Sequence, residues 1–184
     1  MIRLRIDPRS LEFAPCFVAL TVFAEEDLPL NGVPGRIDKL LGREASRQIE
    51  AGNLSGAWES QALLATRGRI EPRYVLFAGL GLLRRITVSS LSVRIEEIVQ
   101  RILKFSTRDI AMDVFHSGKS RVRYENLASE TLSGAVRGVE NCPYDVNITV
   151  CEPEPSRYNE LVAVAEKNVF RRREGRELSV EIIV

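Results

Sequence analysis

Residues 74–91, YVLFAGLGLLRRITVSSL, change from the pattern of a strand to the pattern of a helix within a few positions. Tyr74 to Ala78 forms an apolar run, and Gly79-Leu80-Gly81 follows it as a tight corner. Thr87 can cap the next helix, because its side-chain oxygen can accept a backbone N–H of the first turn. The first question about function is whether this corner binds a phosphate or only turns the chain.

A glycine-rich turn from strand to helix binds phosphate when its bare backbone N–H groups point at the anion and the helix adds its positive end. Gly79 and Gly81 supply the start of that design, but Arg84 stands where G-x-G-x-x-G needs its third glycine, and no G-K-[ST] follows. The pattern favours a conformational corner. Arg84 and Arg85 are the local features that support the alternative, an anion site.

Strand and helix patterns alternate along the rest of the chain. Ile2, Leu4 and Ile6 alternate with charged residues, which predicts a strand at the edge of a sheet with one solvated face. The run from Phe17 to Phe23 is apolar throughout and predicts a central strand. Further strands are predicted at 61–66, 74–78, 109–115, 146–151 and 178–184, and helices at 35–51, from Thr87 to about 105, near 120–140 and at about 156–170.

Strands interleaved with helices predict a three-layer α/β/α sandwich with a mixed, mostly parallel sheet. The seven-residue segment RGRIEPR between the strands at 61–66 and 74–78 predicts a hairpin. We find no repeat, low-complexity tract or interdomain linker, and 184 residues suffice for one self-sufficient core. We therefore expect a single domain spanning 1–184.

Composition excludes several classes of function. Lys+Arg 26 against Asp+Glu 25 leaves a net charge of +1, so no strong field attracts nucleic acid or an anionic membrane. Cys16, Cys142 and Cys151 are odd in number and lack metal-type spacing, which suits buried free thiols in a reducing compartment. The N-terminus has no apolar export segment. We expect a soluble, cytoplasmic protein that binds neither nucleic acid nor membrane.

Four other features need an interpretation, which is structural, functional or both. His116 is the sole histidine and follows a strand, but the sequence assigns it neither a nucleophile nor a second zinc ligand. Glu25-Glu26-Asp27 could bind a cation or form a solvated loop. Trp58 is expected to anchor a loop on the core. Arg171 to Arg173 lie where a helix ends and complement its dipole, which makes nucleic acid unnecessary as an explanation.

Several stretches together resemble one family. GRIDKLLGREASRQIEAGNLSGAWESQALLAT, then YVLFAGLG and a helix, are similar to the N-terminal domain of the M17 leucyl aminopeptidases, which is itself similar to macro domains. LASETLSGAVRG and ITVCEPEPSRYNELVAVAEKNVF resemble the final helices and strand of that domain. The resemblance covers about residues 15–170, and the strand pattern at 171–184 diverges from it. It implies a macro-like fold.

The resemblance implies an accessory role. Enzymes of this family hold two catalytic metals in a separate C-terminal domain, whose signature Asn-Thr-Asp-Ala-Glu-Gly-Arg-Leu is not found in this sequence. No catalytic residue, metal ligand or cofactor can therefore be carried over. Within the family, the N-terminal domain is implied to be an accessory element of a hexamer.

Macro domains that bind ADP-ribose have an asparagine-rich strand end, an early aspartate for adenine and a glycine-rich diphosphate loop. In this sequence the corresponding strand end is TVFAEED, and Asn31-Gly32 and Gly35 resemble the glycine loop. If a ligand site is present, the resemblance implies that its phosphate-facing wall is the backbone of these residues: Asn31, Gly32, Gly35, Gly79, Leu80 and Gly81.

Our leading hypothesis is a stand-alone, non-catalytic macro-like domain that associates with itself or with a protein partner. One alternative is a binding module for ADP-ribose or a related nucleotide. Another is that the chain is a fragment or a separately encoded partner of a metal-dependent aminopeptidase.

Overall fold

The computed structural model describes residues 1–169 and 178–183. Short 3-10 helices lie at Leu11–Phe13, Glu25–Asp27 and Leu83–Arg85. The strands are β1 Ile2–Asp7, β2 Val18–Phe23, β3 Gln61–Ala65, β4 Tyr74–Gly79, β5 Asp109–Asp113, β6 Val146–Cys151 and β7 Leu178–Ile182. The helices are α1 Gly32–Leu40, α2 Glu44–Glu50, α3 Val88–Leu103, α4 Tyr124–Val139 and α5 Pro155–Val169.

The strands form one sheet in the order β3-β4-β2-β5-β6-β1-β7. All neighbours are parallel except β3 and β4, which form the predicted antiparallel hairpin. The predicted α/β class and the mixed, mostly parallel sheet are confirmed. Among the helices of the described residues, none is long and apolar enough to cross a membrane.

Two predicted elements differ from the structure. The helix predicted at 35–51 is two helices, α1 and α2, because Gly42 (φ +71°) and Arg43 (φ +62°) adopt the left-handed conformation that ends one helix and turns the chain. The strand Ile2–Asp7 lies between β6 and β7 rather than at the predicted edge. Arg3 and Arg5 face solvent because one face of the sheet is open there, so the alternation does not indicate an edge.

The long helices α3, α4 and α5 cover one face of the sheet from β4 to β7. Thr87 caps α3 as predicted, since the Ser90 N–H donates to its hydroxyl at 3.1 Å. Gly134 and Gly138 let α3 and α4 approach closely: a Cβ at Gly134 would lie 2.3 Å from the Ser92 carbonyl oxygen. The even-numbered residues of β1 and β6 pack into this core.

The opposite face is covered over only part of the sheet. Helices α1 and α2 and the segment before β2 pack on β4, β2 and β5, where they bury Ala19, Phe23, Val75 and Phe77. Over β6, β1 and β7, polar side chains project from the same face, and no helix of the described residues covers them. We call this surface the open face; its residues are Arg3, Arg5, Asn147, Thr149, Ser179 and Glu181.

The predicted C-terminal strand is present and pairs within the chain. β7 lies parallel to β1, and the Tyr158 hydroxyl donates to the Ile183 carbonyl. The expectation for the arginine run at 171–173 lies outside the described residues.

Candidate functional site

The carboxyl ends of parallel strands meet at one edge of a sheet, the usual position of ligand sites in α/β proteins. Here the edge is built by the loops that follow β2, β4, β5 and β6. The six residues predicted to face a ligand all lie there, three before or within α1 and three at the end of β4. The loop that leads from β2 to α1 contacts the end of β4 where the Glu25 N–H donates to the Gly81 carbonyl at 3.0 Å.

The glycine corner after β4 uses its backbone donors within the fold. The N–H groups of Gly79, Leu80 and Gly81 donate to carbonyl oxygens at 2.8, 2.9 and 2.7 Å, those of Ser60, Phe23 and Gly56 respectively. A Cβ at Gly79 would lie 2.1 Å from the Ala57 carbonyl oxygen. These contacts support the interpretation of the corner as a close-packed turn, since a phosphate needs N–H groups that no carbonyl occupies.

The start of α1 differs from the glycine corner in its exposure. Gly32 is exposed at φ +58°, with nothing within 4 Å of the position of a Cβ. The Gly35 N–H donates to the Asn31 carbonyl at 3.1 Å, and the Asn31 side chain donates to the Asp27 carbonyl at 3.1 Å. Of the six predicted ligand residues, Asn31 and Gly32 are therefore the exposed ones.

The acidic segment Glu25-Glu26-Asp27 braces the loops. The buried Asp27 carboxylate accepts from the Ala24 N–H at 3.1 Å and from the Ser117 hydroxyl at 2.8 Å. Glu26 accepts from the Leu83 N–H at 2.8 Å, and the Lys119 ammonium donates to the Glu26 carbonyl. Among the described residues, no group of three or more His, Cys, Asp or Glu could hold a metal ion.

A second polar group lies where β5 and β6 end, and the sequence did not point to it. The Tyr124 hydroxyl donates to the buried Glu152 carboxylate at 2.7 Å, and Arg157 Nε lies 3.4 Å from the same carboxylate. Burial, followed by the neighbouring Glu152, raises the pKa of Tyr124. Tyr124 begins α4 and Glu152 follows β6, 28 positions away, so the packing of α4 on the sheet brings them together.

His116 lies at the rim of this group. Its ring is exposed and stands edge-on to Tyr124, with centroids 6.2 Å apart. Partial burial and the positive charge of Arg157 lower the pKa of His116, against the opposing effect of Glu152. The imidazole is therefore mostly neutral at neutral pH.

Asp113 ends β5 and is 8% exposed. Burial raises its pKa to about 7; Glu152 acts in the same direction, whereas the nearby Thr21 hydroxyl opposes the shift. Within the described part of the chain, its Oδ1 and the Thr21 hydroxyl oxygen are both buried without a partner at hydrogen-bonding distance. No sequence signal points to this group, because Asp113 lies inside the apolar run IAMDVF.

Four buried carboxyl groups lie at this edge. Asp7, Asp27, Asp113 and Glu152 are all at most 8% exposed, and Asp7 is paired with Arg9 at 2.6 Å. Glu152 likewise lies 3.4 Å from Arg157, so these carboxylates already have cationic partners within the fold. The buried carboxyl groups of this edge hold its loops together.

Trp58 anchors its loop through a buried cation. The Arg94 guanidinium carbon lies 5.5 Å from the centroid of the Trp58 ring, and Arg94 Nε donates to the Gly79 carbonyl at 3.1 Å. Arg94 is fully buried, and desolvation lowers its pKa. Trp58 thus helps to fix α3 against the glycine corner.

The open face forms a second candidate site. With Pro15, Cys16 and Asp109 at its border, it encloses a shallow concavity of about 240 Å³. At its exposed surface Arg5 donates to Glu181 at 2.9 and 3.1 Å. Arg3 donates to Asn147 at 3.3 Å and lies 3.9 Å from Asp145. Burial raises the pKa of Cys16 to about 12, so its thiol is not a nucleophile at neutral pH.

Comparison with protein families gives one match. The model for the N-terminal domain of the cytosol aminopeptidase family matches residues 19–141. This range runs from β2 to the end of α4 and includes the glycine corner. Among curated proteins, none matches the chain.

Solved structures of macrodomains share the fold. A mutant of the Oceanobacillus iheyensis macrodomain, solved with ADPR, is 12% identical, with a TM-score of 0.72 over 91% of this chain and 94% of that one. The Trypanosoma brucei macrodomain in complex with ADP-ribose is 17% identical, with a TM-score of 0.70 over 89% and 68%. The macrodomain of Thermus aquaticus DarG is 15% identical, with a TM-score of 0.61 over 83% and 100%. At these identities the likeness establishes the fold alone.

Proposed function

We propose that this chain, which belongs to the family of cytosol aminopeptidase N-terminal domains, is a non-catalytic assembly domain that associates with other protein chains, including a second copy of itself. The family match supports this role, because enzymes of the family keep their metals in a separate catalytic domain. The match lies wholly within the N-terminal domain.

The observation that carries the proposal is the open face. A parallel sheet is normally covered on both faces, because the crossover helices lie on them. Here β6, β1 and β7 are parallel, yet in the described part of the chain only one face of these strands is covered. The side chains of Arg3, Arg5 and Glu181 are 51%, 44% and 62% exposed. A surface of this kind is available to another protein.

The carboxyl edge supports the non-catalytic part of the proposal. Two-metal hydrolysis needs several carboxylates turned toward one space. Here Asp7, Asp27 and Glu152 accept from Arg9, Ser117 and Tyr124 respectively. Their lone pairs are used to hold loops together.

The test is the mass of the full chain in solution. Sedimentation equilibrium should show an average mass that rises above the 20.7 kDa of one chain as the concentration increases. A mass that stays at one chain up to about 1 mM, where association would be worth no more than about 4 kcal/mol, contradicts self-assembly.

The same preparation should not hydrolyse a leucine amide, with or without added manganese or zinc. Turnover that copurifies with the homogeneous chain and disappears with a chelator would show that the chain is an enzyme and would overturn the non-catalytic assignment.

An ADP-ribose module is the second candidate, because two of the similar structures hold that ligand and the predicted ligand residues here lie at the carboxyl edge. The occupied backbone donors and buried carboxyl groups argue for a Kd no better than about 1 mM. Titration calorimetry with ADP-ribose measures this Kd. Micromolar affinity that is lost in Gly32→Val would favour this candidate over assembly.

A further inference from the structure

We infer that the exposed cations of two loops at the carboxyl edge form a docking surface for an acidic segment of another protein chain. We call this surface the basic rim; its residues are Arg84, Arg85, Lys119, Arg121 and Arg123. The basic rim extends the proposed assembly function, on which the inference rests, to the chemistry of a protein partner. It lies at the ends of the strands, apart from the open face.

The basic rim is formed by two loops that meet at one acidic segment. Its first two arginines follow β4 in the 3-10 helix Leu83–Arg85, and its other three cations lie between β5 and α4. The Leu83 N–H donates to the Glu26 carboxylate at 2.8 Å, and the Lys119 ammonium donates to the Glu26 carbonyl. Glu26 therefore holds one group of cations on each side of it.

The four arginines of the basic rim have no acidic partner in the described part of the chain. All four are exposed, and none forms an ion pair with a carboxylate of the described residues. By contrast, Arg9 and Arg157, which also follow strand ends, pair with carboxylates at 2.6 and 3.4 Å. A free guanidinium group can bind a carboxylate of another chain through two parallel hydrogen bonds.

The position of these cations is unfavourable for the fold itself. Arg123 occupies the N-cap position of the 16-residue helix α4 and makes no side-chain capping bond, and Arg85 lies just before the Thr87 cap of α3. The N-terminus of a helix carries the positive end of its dipole, so a cation there lowers stability. A small polar or acidic residue would be a better N-cap. Folding stability therefore does not account for Arg123, whereas an anionic partner does.

The layout of charge favours a protein segment over a nucleic acid. The exposed Glu25 lies next to Glu26, between the two groups of cations, so the positive charge is divided rather than continuous. A nucleic-acid backbone carries a charge at every step and would pass Glu25. A peptide can place carboxylates over the arginines and uncharged residues between them. Within the two loops the one Phe, Tyr or Trp is Phe115, which is buried and offers no surface on which a base could stack.

The probe is a fluorescein-labelled peptide of two glutamate triplets joined by a flexible Gly-Ser spacer. Its anisotropy is recorded as the full-length chain is added at low salt. We expect a Kd on the order of 100 µM that rises several-fold when salt screens the charges. Arg84→Glu and Arg123→Glu, one from each group, should each raise the Kd about tenfold. The matched control is Arg101→Glu, the same change of charge at an exposed position of α3, and it should leave the Kd unchanged.

Melting curves exclude unfolding as the cause of lost binding. Both variants place a carboxylate near the N-terminus of a helix, so their melting temperatures should equal or exceed that of the wild type. An unchanged Kd in both variants, or no binding of the peptide, would overturn the docking surface. A loss confined to one variant would overturn the arrangement in two groups. An oligothymidylate strand of equal charge that binds more tightly than the peptide, and that the same variants release, would overturn the protein partner.

These outcomes are distinct from those that test the proposed function. A chain that binds the peptide but stays a monomer in sedimentation contradicts self-assembly and leaves the basic rim in place. A chain that self-associates but does not bind the peptide keeps its assembly function and loses the basic rim as a docking surface.

Discussion

The covered half of the sheet, β3, β4, β2 and β5, lies under α1 and α2, and the open half, β6, β1 and β7, carries the open face. The two halves use polar residues in opposite ways. At the covered half, Asp27 and Asp113 are buried, and Asp27 holds the loop after β2 to Ser117. At the open half, Arg3, Arg5 and Glu181 face solvent and pair at the surface, where an ion pair contributes about 1 kcal/mol or less. In the described part of the chain, polar groups at the edge where ligands usually bind hold the loops together, whereas those of the open half face solvent.

Gly79→Ala tests how tightly the covered half is packed. The added Cβ would lie 2.1 Å from the Ala57 carbonyl oxygen and 2.6 Å from the Gly56 carbonyl carbon and oxygen, all backbone atoms that cannot move away cheaply. We expect the free energy of unfolding to fall by about 4 kcal/mol in urea titrations. The matched control, Gly118→Ala, meets nothing within 4 Å and should change it little. Equal effects would contradict close packing of the corner.

Removal of β7 tests the open half. Truncation after Gly175 deletes Leu178, Val180 and Ile182, which are half-buried beside β1. The free energy of unfolding should fall by about 1 kcal/mol for each of these three side chains, which should lower the melting temperature by about 8 °C. Ser179→Ala changes an exposed residue of the same strand and serves as the control. An unchanged melting curve after truncation would show that β7 does not stabilise the sheet.

The pH dependence of stability should come from the covered half. The pKa of Asp113 is raised to about 7, so between about pH 4 and 7 the folded chain holds a proton that the unfolded chain has lost. Stability should therefore rise as the pH falls from 8 to 5, by about 2–3 kcal/mol.

Asp113→Asn should remove this rise, as measured by urea unfolding at each pH. Glu181→Gln removes an exposed carboxylate from the open half and should leave the rise in place. A rise that persists in Asp113→Asn would show that another group causes it.

Most of the fold could be predicted from local patterns. The hairpin, the Thr87 cap, the strand Val146–Cys151 and the start of α5 at Pro155 all follow from residues that are close in sequence. The break between α1 and α2 could not, because Gly42 lies within a continuous apolar stripe of helical spacing. Left-handed backbone at two successive residues overrides that periodicity.

The site could be predicted only in part. The sequence pointed to Gly79–Gly81 as either a corner or a phosphate loop. It could not decide between them, because the carbonyl oxygens that accept from these N–H groups come largely from the distant segment around Gly56 and Ser60. Asp113, Tyr124 and Glu152 meet through the strand order, which no local pattern encodes. The open face could not be predicted either. The alternation in Ile2–Asp7 indicates that one face of the strand is solvated, but it does not indicate whether the strand is central in the sheet.

The most direct measurement compares the two regions within one sample. Amide chemical shifts of the isotope-labelled full chain are recorded while the chain is diluted from about 1 mM, the range in which a weak dimer dissociates. We expect shifts at Arg3, Arg5, Asn147, Thr149, Ser179 and Glu181, and none at Gly79–Gly81 or Ser117. Shifts confined to the carboxyl edge, or no concentration dependence at all, would contradict assembly through the open half.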